Sequence, residues 1–398
     1  MLYEGPLGAL APARGSWALL AALVLASLLV PSHVIAAASG DERGCGWRIV
    51  HSPNPGGSAI LYGVSSFPHD TAWAVGVTHP VYKPSTLALH DTGSGWTQVP
   101  TPNPDPVSNR LDAVDGLADD DVWAVGSRQG GEDGTLVEHW DGSAWSVVPS
   151  PNPPQPFSWL DAVWVASSTD AWAVGATQDL SGMSETTLIE HWDGRAWTIV
   201  PSPSPGRINN LFGVSAVSSA DAWAVGSASD RAGVNHNLVL HWDGEAWTGV
   251  AAPSPGLKDN VLFSVTSLGA DEAWAVGYAA DSTQEDAKSP VTLHWDGGRW
   301  TRVRNPHLSA QLNSVAAGPD GALWAAGYRE APATPLIERR VGSSWRVIRA
   351  QNQQGAIADY LNGIAIGASA ASGWAVGSGL SREGQWHTLV ERPCAATA

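Results

Sequence analysis

Cysteine, methionine, phenylalanine and lysine are all scarce in this 398-residue chain, which holds two Cys, two Met and four Phe. That scarcity is far from a helical composition. Charged residues make up only 15% against 43% hydrophobic ones, so the chain can bury a large core and is no disordered polyelectrolyte. Basic residues are outnumbered: 21 Lys and Arg face 38 Asp and Glu, a net charge of −17. Such a chain repels phosphate backbones and anionic lipid, which excludes nucleic acid and membrane surfaces as expected partners. No nucleophile elbow, phosphate-binding loop or HExxH helix occurs, and no cofactor is implied. No apolar run reaches membrane-spanning length. The longest, Trp17 to Val30, has about 14 residues, follows Arg14 and precedes the small residues Ala36-Ala37-Ala38. It is expected to be a signal peptide over residues 1–38, giving a secreted, extracellular or cell-surface protein, periplasmic where the host has an outer membrane. Retention as an uncleaved anchor is the alternative.

What is abundant points to short strands and turns: 43 Gly, 28 Pro and 22 Trp. The string Ala-Trp-Ala-Val-Gly, or a close variant, recurs with its Trp at 73, 123, 172, 223, 274, 324 and 374, at intervals of 49 to 51 residues. A Leu-x-x-Val/Ile pair precedes each, led by Leu61, Leu111, Leu160, Leu211, Leu262, Leu312 and Leu361. A second Trp follows each of the first six, at 96, 145, 197, 247, 300 and 345, then a Pro-rich exit such as Pro149-Ser150-Pro151-Asn152-Pro153. Each unit parses into four strands, A to D. In the second they are expected at Leu111 to Leu117, Val122 to Ser127, Thr135 to Trp140 and Ala144 to Val148.

Four short strands per unit of about 50 residues make a propeller blade. Seven units predict an all-β fold, a seven-bladed β-propeller, over residues 45–394. Its blades lie near 59–100, 109–150, 158–202, 209–252, 260–305, 310–349 and 358–394 plus 46–51. Alternation in strand B puts Trp and Val on one face and the small residues on the other, so a bulky face can pack on the small face of the next blade. Asp141-Gly142, Asp193-Gly194, Asp243-Gly244 and Asp296-Gly297 are tight C-to-D hairpin signals.

The last unit ends after strand C, at Thr388 to Arg392, while Gly46 to Pro55 reproduces a strand D and its Pro-rich exit before any strand A. The N-terminal strand is therefore expected to complete the last blade. In the repeat alignment Cys394 takes the place of Asp141 and Cys45 that of Ser143, across one turn. As the two cysteines of an exported chain they are expected to form a disulfide that staples the seam.

Gly after strand B, Asp-Gly after strand C and a Trp opening strand D, in units of about 50, resemble kelch-type repeats over roughly residues 45 to 394. The kelch Gly-Gly pair is reduced here to one Gly, as at Gly126 or Gly175. The strings Ala-Trp-Ala-Val-Gly, His-Trp-Asp-Gly-x-x-Trp and Pro-Ser-Pro-Asn-Pro are similar to repeats of uncharacterised secreted bacterial propellers. The turn Asp91 to Trp96 looks like the Asp-box of sialidase-type propellers, without its Ser.

Features that recur in every blade serve packing, so function is sought where the repeat breaks. His90, His139, His191, His241 and His294 recur on strand C and are read as structural, as are Trp140, Trp192, Trp242 and Trp295. Asp121, Asp170 and Asp221 are expected to brace the A-to-B turn through backbone amides. Antiparallel order puts the B-to-C and D-to-A loops on one face. The B-to-C loops vary in length and sequence, and variable loops on a rigid ring are where binding resides. Candidate binding residues there are Tyr82, Trp159, Tyr278, Tyr328 and Trp386, accompanied by Phe157 and Tyr360 and by the acids Glu132, Asp133, Asp179, Glu185, Asp281, Glu285, Asp286 and Glu330. His79, His236, His307 and His387 show no metal-ligand spacing, and no metal site is expected. Arg128, Arg207, Arg231 and Arg329 form no convincing set for a sialidase. A copper-radical oxidase would need a Cys–Tyr crosslink that ring closure leaves no cysteine for. The expected function is a monomeric binding or scaffold propeller recognising a glycan or an extracellular protein through this face. The alternative is a carbohydrate-active hydrolase or lyase using loop carboxylates.

Overall fold

The computed structural model describes residues 46–394 apart from 132, 283–287, 307–308 and 369–371. The segment 1–38, Cys45, Glu132, Glu285, Asp286 and His307 lie outside the described residues. Within them the chain forms seven antiparallel four-stranded sheets. In blade 1 strands A to D are Ala59–Ser66, Ala72–Thr78, Ser85–Asp91 and Trp96–Val99, hydrogen-bonded in that order. Blade 2 has Ser108–Ala118, Asp121–Gln129, Gly134–Trp140 and Trp145–Val147. Its strand A is longer than expected and its strand D shorter. The ladder between A and B runs on through a bulge at residue 112, while the Asp141 turn occupies the residues before Trp145. Blade 7 joins Ala356–Ile366, Gly373–Ser381 and Trp386–Pro393 to the N-terminal strand Trp47–Ile49. Trp47 pairs with Pro393 and Ile49 with Glu391. That three-residue strand is anchored by a buried indole: Trp47 is 1% exposed and meets the Trp324 ring edge-on at 5.7 Å.

The packing between blades follows the alternation in strand B. Trp73 and Val75 join a core with Leu111, Val122, Ala124 and Trp145 of blade 2. Ala72 and Ala74 turn the other way, against Trp374, Val376 and Val390 of blade 7. Each large indole closes the next seam too. Trp73 lies 4.9 Å from Trp140 and 5.2 Å from Trp145, and Trp123, Trp172 and Trp223 repeat this with the pairs Trp192/Trp197, Trp242/Trp247 and Trp295/Trp300. Edge-to-face and tilted rings at these separations add to what burial alone contributes.

The recurring Gly after strand B has a steric cause. Strand A bulges by one residue beside it, with the register slipping between Leu61 and Gly63 in blade 1 and at the same place in every blade. The slip brings the carbonyl of the residue before the repeat Leu against the glycine. A Cβ at Gly126 would fall inside contact with the Arg110 carbonyl, and one at Gly226 inside contact with that of Asn210.

The Asp-Gly hairpins form as expected. Asp141 Oδ1 accepts from the amides of Ser143 (2.9 Å) and Ala144 (3.0 Å), and Gly142 takes φ of 88°. The strand-C histidines are structural: the His90 ring stacks on Trp73 at 4.1 Å. The carboxylates of Asp121, Asp170 and Asp221 do not go to turn amides. Each meets Nε2 of the strand-C histidine of its own blade, at 2.7 to 2.8 Å from His139, His191 and His241. An imidazole already held against an indole lies within reach of each carboxylate.

Candidate functional site at the loop face and channel

Strands A of all seven blades line a central channel of about 500 Å³. The bulge that demands glycine in strand B also turns the residue after each repeat Leu toward the axis. Those residues are Tyr62, Asp112, Asp161, Phe212, Phe263, Asn313 and Asn362, and all seven line the channel. These positions are not evident in the sequence, because a bulge adds a residue without changing the Leu-x-x-Val/Ile spacing. A signal was there: this position varies from blade to blade between a fixed Leu and a nearly fixed Val.

The channel mouth on the B-to-C loop side is charged across blades 1 to 3. The Arg110 guanidinium lies 4.2 Å above the Tyr62 ring and is hydrogen-bonded to Asp112. Burial works against its charge, but Asp112, Tyr62 and Asp161 outweigh burial and hold it above its ordinary pKa. The Trp159 Nε1–H donates to Asp161 Oδ2 at 2.9 Å. Deeper in, Asp115 accepts from the Ser65 hydroxyl (3.1 Å) and from the Val165 amide (2.9 Å). Burial pushes its pKa up to about 6. Across blades 4 and 5 the wall is apolar, where Phe212 packs on a cluster of Val261, Phe263, Tyr278 and Ala280.

The candidate aromatics fall into separate places. Tyr278, Tyr328 and Trp386 belong to one continuous wall over blades 5 to 7. The Tyr278 hydroxyl donates to Asp259 at 2.6 Å, and burial, then Asp259, raises its pKa. Lys288 Nζ sits 4.8 Å over the Tyr278 ring, donates to Gln311 Oε1 at 3.2 Å and pairs with Glu330 at 3.4 Å. Gln311 Oε1 also accepts from the Tyr328 hydroxyl at 3.3 Å. Tyr328 meets Tyr360 edge-on at 4.8 Å, and Tyr360 lies 5.9 Å from Trp386. Trp159, Tyr278 and Tyr328 are buried and shape the mouth from behind, whereas Trp386 is half-buried. Tyr82 stands apart at 83% exposure, on a turn where His79 and Lys83 adopt positive φ. Of the remaining candidates, Glu185 bonds Gln178 and Asn210, and Asp179 caps its own loop through Ser181 and Met183. No group of three or more His, Cys, Asp or Glu able to hold a metal occurs among the described residues.

No protein-family model and no curated protein matches this chain. Solved structures do match. One is described as YCF48 bound to D1 peptide, at 15% identity and a TM-score of 0.55, covering 89% of this chain and 97% of that one. Another is virginiamycin B lyase from Staphylococcus aureus, at 13% identity and 0.56, covering 88% and 99%. A chain of the mitotic checkpoint complex matches at 10% identity and 0.53, covering 92% and 99%. One neighbour is a peptide complex, one a lyase and one part of an assembly, so the shared fold hosts both binding and catalysis and selects neither. What the likeness establishes is architecture: this chain is a seven-bladed β-propeller.

Proposed function

We propose that the protein is an exported, monomeric binding or scaffold propeller that recognises a glycan or an extracellular protein through its B-to-C and D-to-A loop face. The observation that carries this reading is where the most exposed apolar side chains sit. Leu180, Tyr82 and Leu257 are 84%, 83% and 77% exposed, and all three project from loops of that one face. Val81, Val107 and Met183 are exposed on loops of the same face. Among the described residues the large apolar side chains that are more than half exposed all gather on this one side of the ring, which marks an interaction surface. Beside them the Tyr278–Trp386 wall offers rings for stacking and hydroxyl, amide and carboxylate groups for hydrogen bonds.

Export rests on the N-terminal segment and on ring closure by cysteines, both features of chains that meet an oxidising compartment. The test is a glycan array together with a pull-down from extracellular material, run on the wild type and on Tyr82→Ala and Trp386→Ala. Ligand capture should fall at least tenfold in both variants while their thermal midpoints stay close to the wild type. Capture unchanged by either substitution would remove the loop face from the proposal. A mass measurement of the exported protein that still includes residue 1 would overturn cleavage.

A further inference from the structure

We propose that the central channel takes a cationic group, an ammonium or guanidinium carried on a slender chain, with Asp115 as its counter-ion. This rests on the binding role proposed above and names the chemistry of the ligand's inserted part. The lining carries charge of one sign. Asp112, Asp115 and Asp161 line the channel, and among the described lining residues there is no Lys, Arg or His. Arg110, at the mouth, is engaged by Asp112 and feels Asp161, so one cation faces three carboxylates and Asp115 is the one it does not reach. The partners of Asp115 are the Ser65 hydroxyl and the backbone amides of Val165 and Gly116, all neutral.

The structural task of Asp115 does not need a carboxylate. In blade 4 the same position is Ser215, whose hydroxyl accepts from the Ser267 amide of blade 5 at 3.0 Å. That is the same inter-blade bond that Asp115 makes to Val165. A hydroxyl suffices there, so the charge in blade 2 is surplus to closing the seam. A cation entering the channel would give that carboxylate a charged partner. The walls suit one: Tyr62, Trp164, Phe212 and Phe263 line the same cavity. One of these rings, Tyr62, already holds the Arg110 guanidinium against its face. The volume of about 500 Å³ lies within the range of roughly 300–1,000 Å³ of small-ligand sites.

The test is isothermal titration of the full chain with spermidine and with agmatine, using triethylene glycol as an uncharged chain of comparable length. Three variants accompany the wild type. Asp115→Asn keeps the shape, Asp115→Ser copies blade 4, and Asp243→Asn removes one carboxylate from the hairpin face. Both cations should bind the wild type and triethylene glycol should not. Either Asp115 variant should weaken cation binding by about tenfold or more, and Asp243→Asn should leave it unchanged. No cation binding by the wild type, equal binding by a folded Asp115 variant, or an equal loss in Asp243→Asn would overturn the proposal. If Tyr82→Ala and Trp386→Ala abolish partner capture while the cations fail to bind, the loop-face reading stands and the channel proposal falls. Cation binding that depends on Asp115, with capture indifferent to the loop variants, gives the converse.

Discussion

Replacing Glu138 by leucine should stabilise the protein, and by more at high pH than at low. Glu138 lies on strand C of blade 2, two residues after Leu136, and so faces the same seam with blade 1. It is fully buried, and neither carboxyl oxygen accepts a hydrogen bond from the described residues. The equivalent glutamates are better served. Glu190 accepts from the Ser150 hydroxyl at 2.8 Å, Glu338 from the Asn305 amide group at 2.9 Å, and Glu391 from the Gln351 backbone amide at 3.2 Å. The counterpart of Ser150 in the seam of Glu138 is Thr101, whose hydroxyl is 2.7 Å from that of Thr86.

Burial alone pushes the Glu138 pKa from 4.5 up to about 8. The folded state therefore holds this proton more tightly than the unfolded chain. Stability is full below about pH 4.5, declines as pH rises, and the loss is complete above about pH 8. At about 1.4 kcal/mol per pKa unit, the upper value of the cost is roughly 3 kcal/mol at pH 7 and roughly 4 to 5 at pH 9. Leucine fits: blades 1, 4 and 5 carry Leu89, Leu240 and Leu293 at this position, all buried. Calorimetric thermal unfolding of wild type and Glu138→Leu at pH 5, 7 and 9 should show a gain in Tm that is small at pH 5 and several degrees at pH 9. A gain independent of pH, or a lower Tm for the variant at pH 9, would refute the reasoning.

Three further substitutions test the frame. Gly226→Ala should destabilise the protein by roughly 2 to 4 kcal/mol, because its Cβ meets the Asn210 carbonyl at the strand-A bulge. Gly249→Ala, with open space around the same atom, should differ by less than about 0.5 kcal/mol in the same melt. For ring closure, the Cys394 amide donates to the Gly46 carbonyl at 2.9 Å, and the proposed Cys45–Cys394 bond would staple that seam. The folded, non-reduced protein should then resist thiol labelling at both cysteines. Cys394→Ser should lower stability by up to about 5 to 6 kcal/mol in the chain-entropy model, and labelling at both sites would reject the bond.

The blade count and the composite seventh blade were legible because they depend on period, and the period survives small changes in loop length. The Asp-Gly hairpins were legible because one residue, such as Asp141, supplies both the turn and its hydrogen bonds. Three features were not. The bulge at Asp112 and its equivalents is hidden, since Leu111 and Val114 keep their spacing whether or not the residue after Leu swings to the axis. The fate of Glu138 was hidden because a polar residue next to a histidine near a strand end looks solvent-facing, while a propeller buries both faces. The burial of Tyr278 and Tyr328 was hidden because strand B continues past its Gly, to Ala280 in blade 5 and Arg329 in blade 6.

These hidden features share one cause. Between neighbouring blades both faces of a sheet are packed, so strands B and C are held to large-against-small pairings such as Trp73 against Ala124. Substitution there must keep volume and polarity, and the repeat stays visible. The bulge is held less tightly, because its side chain leaves the sheet plane toward the axis. Loop tips escape that restraint at the other end of strand B. Variation therefore collects at two kinds of place, the channel positions from Tyr62 to Asn362 and the loops that carry Tyr82 and Leu180. The first group lines the channel and the second lies on the B-to-C loop face, with Arg110 between them at the start of a strand A. A partner that covers the loop face is thereby positioned to send one side chain or chain end down the channel, and Asp115 is the group that would meet it.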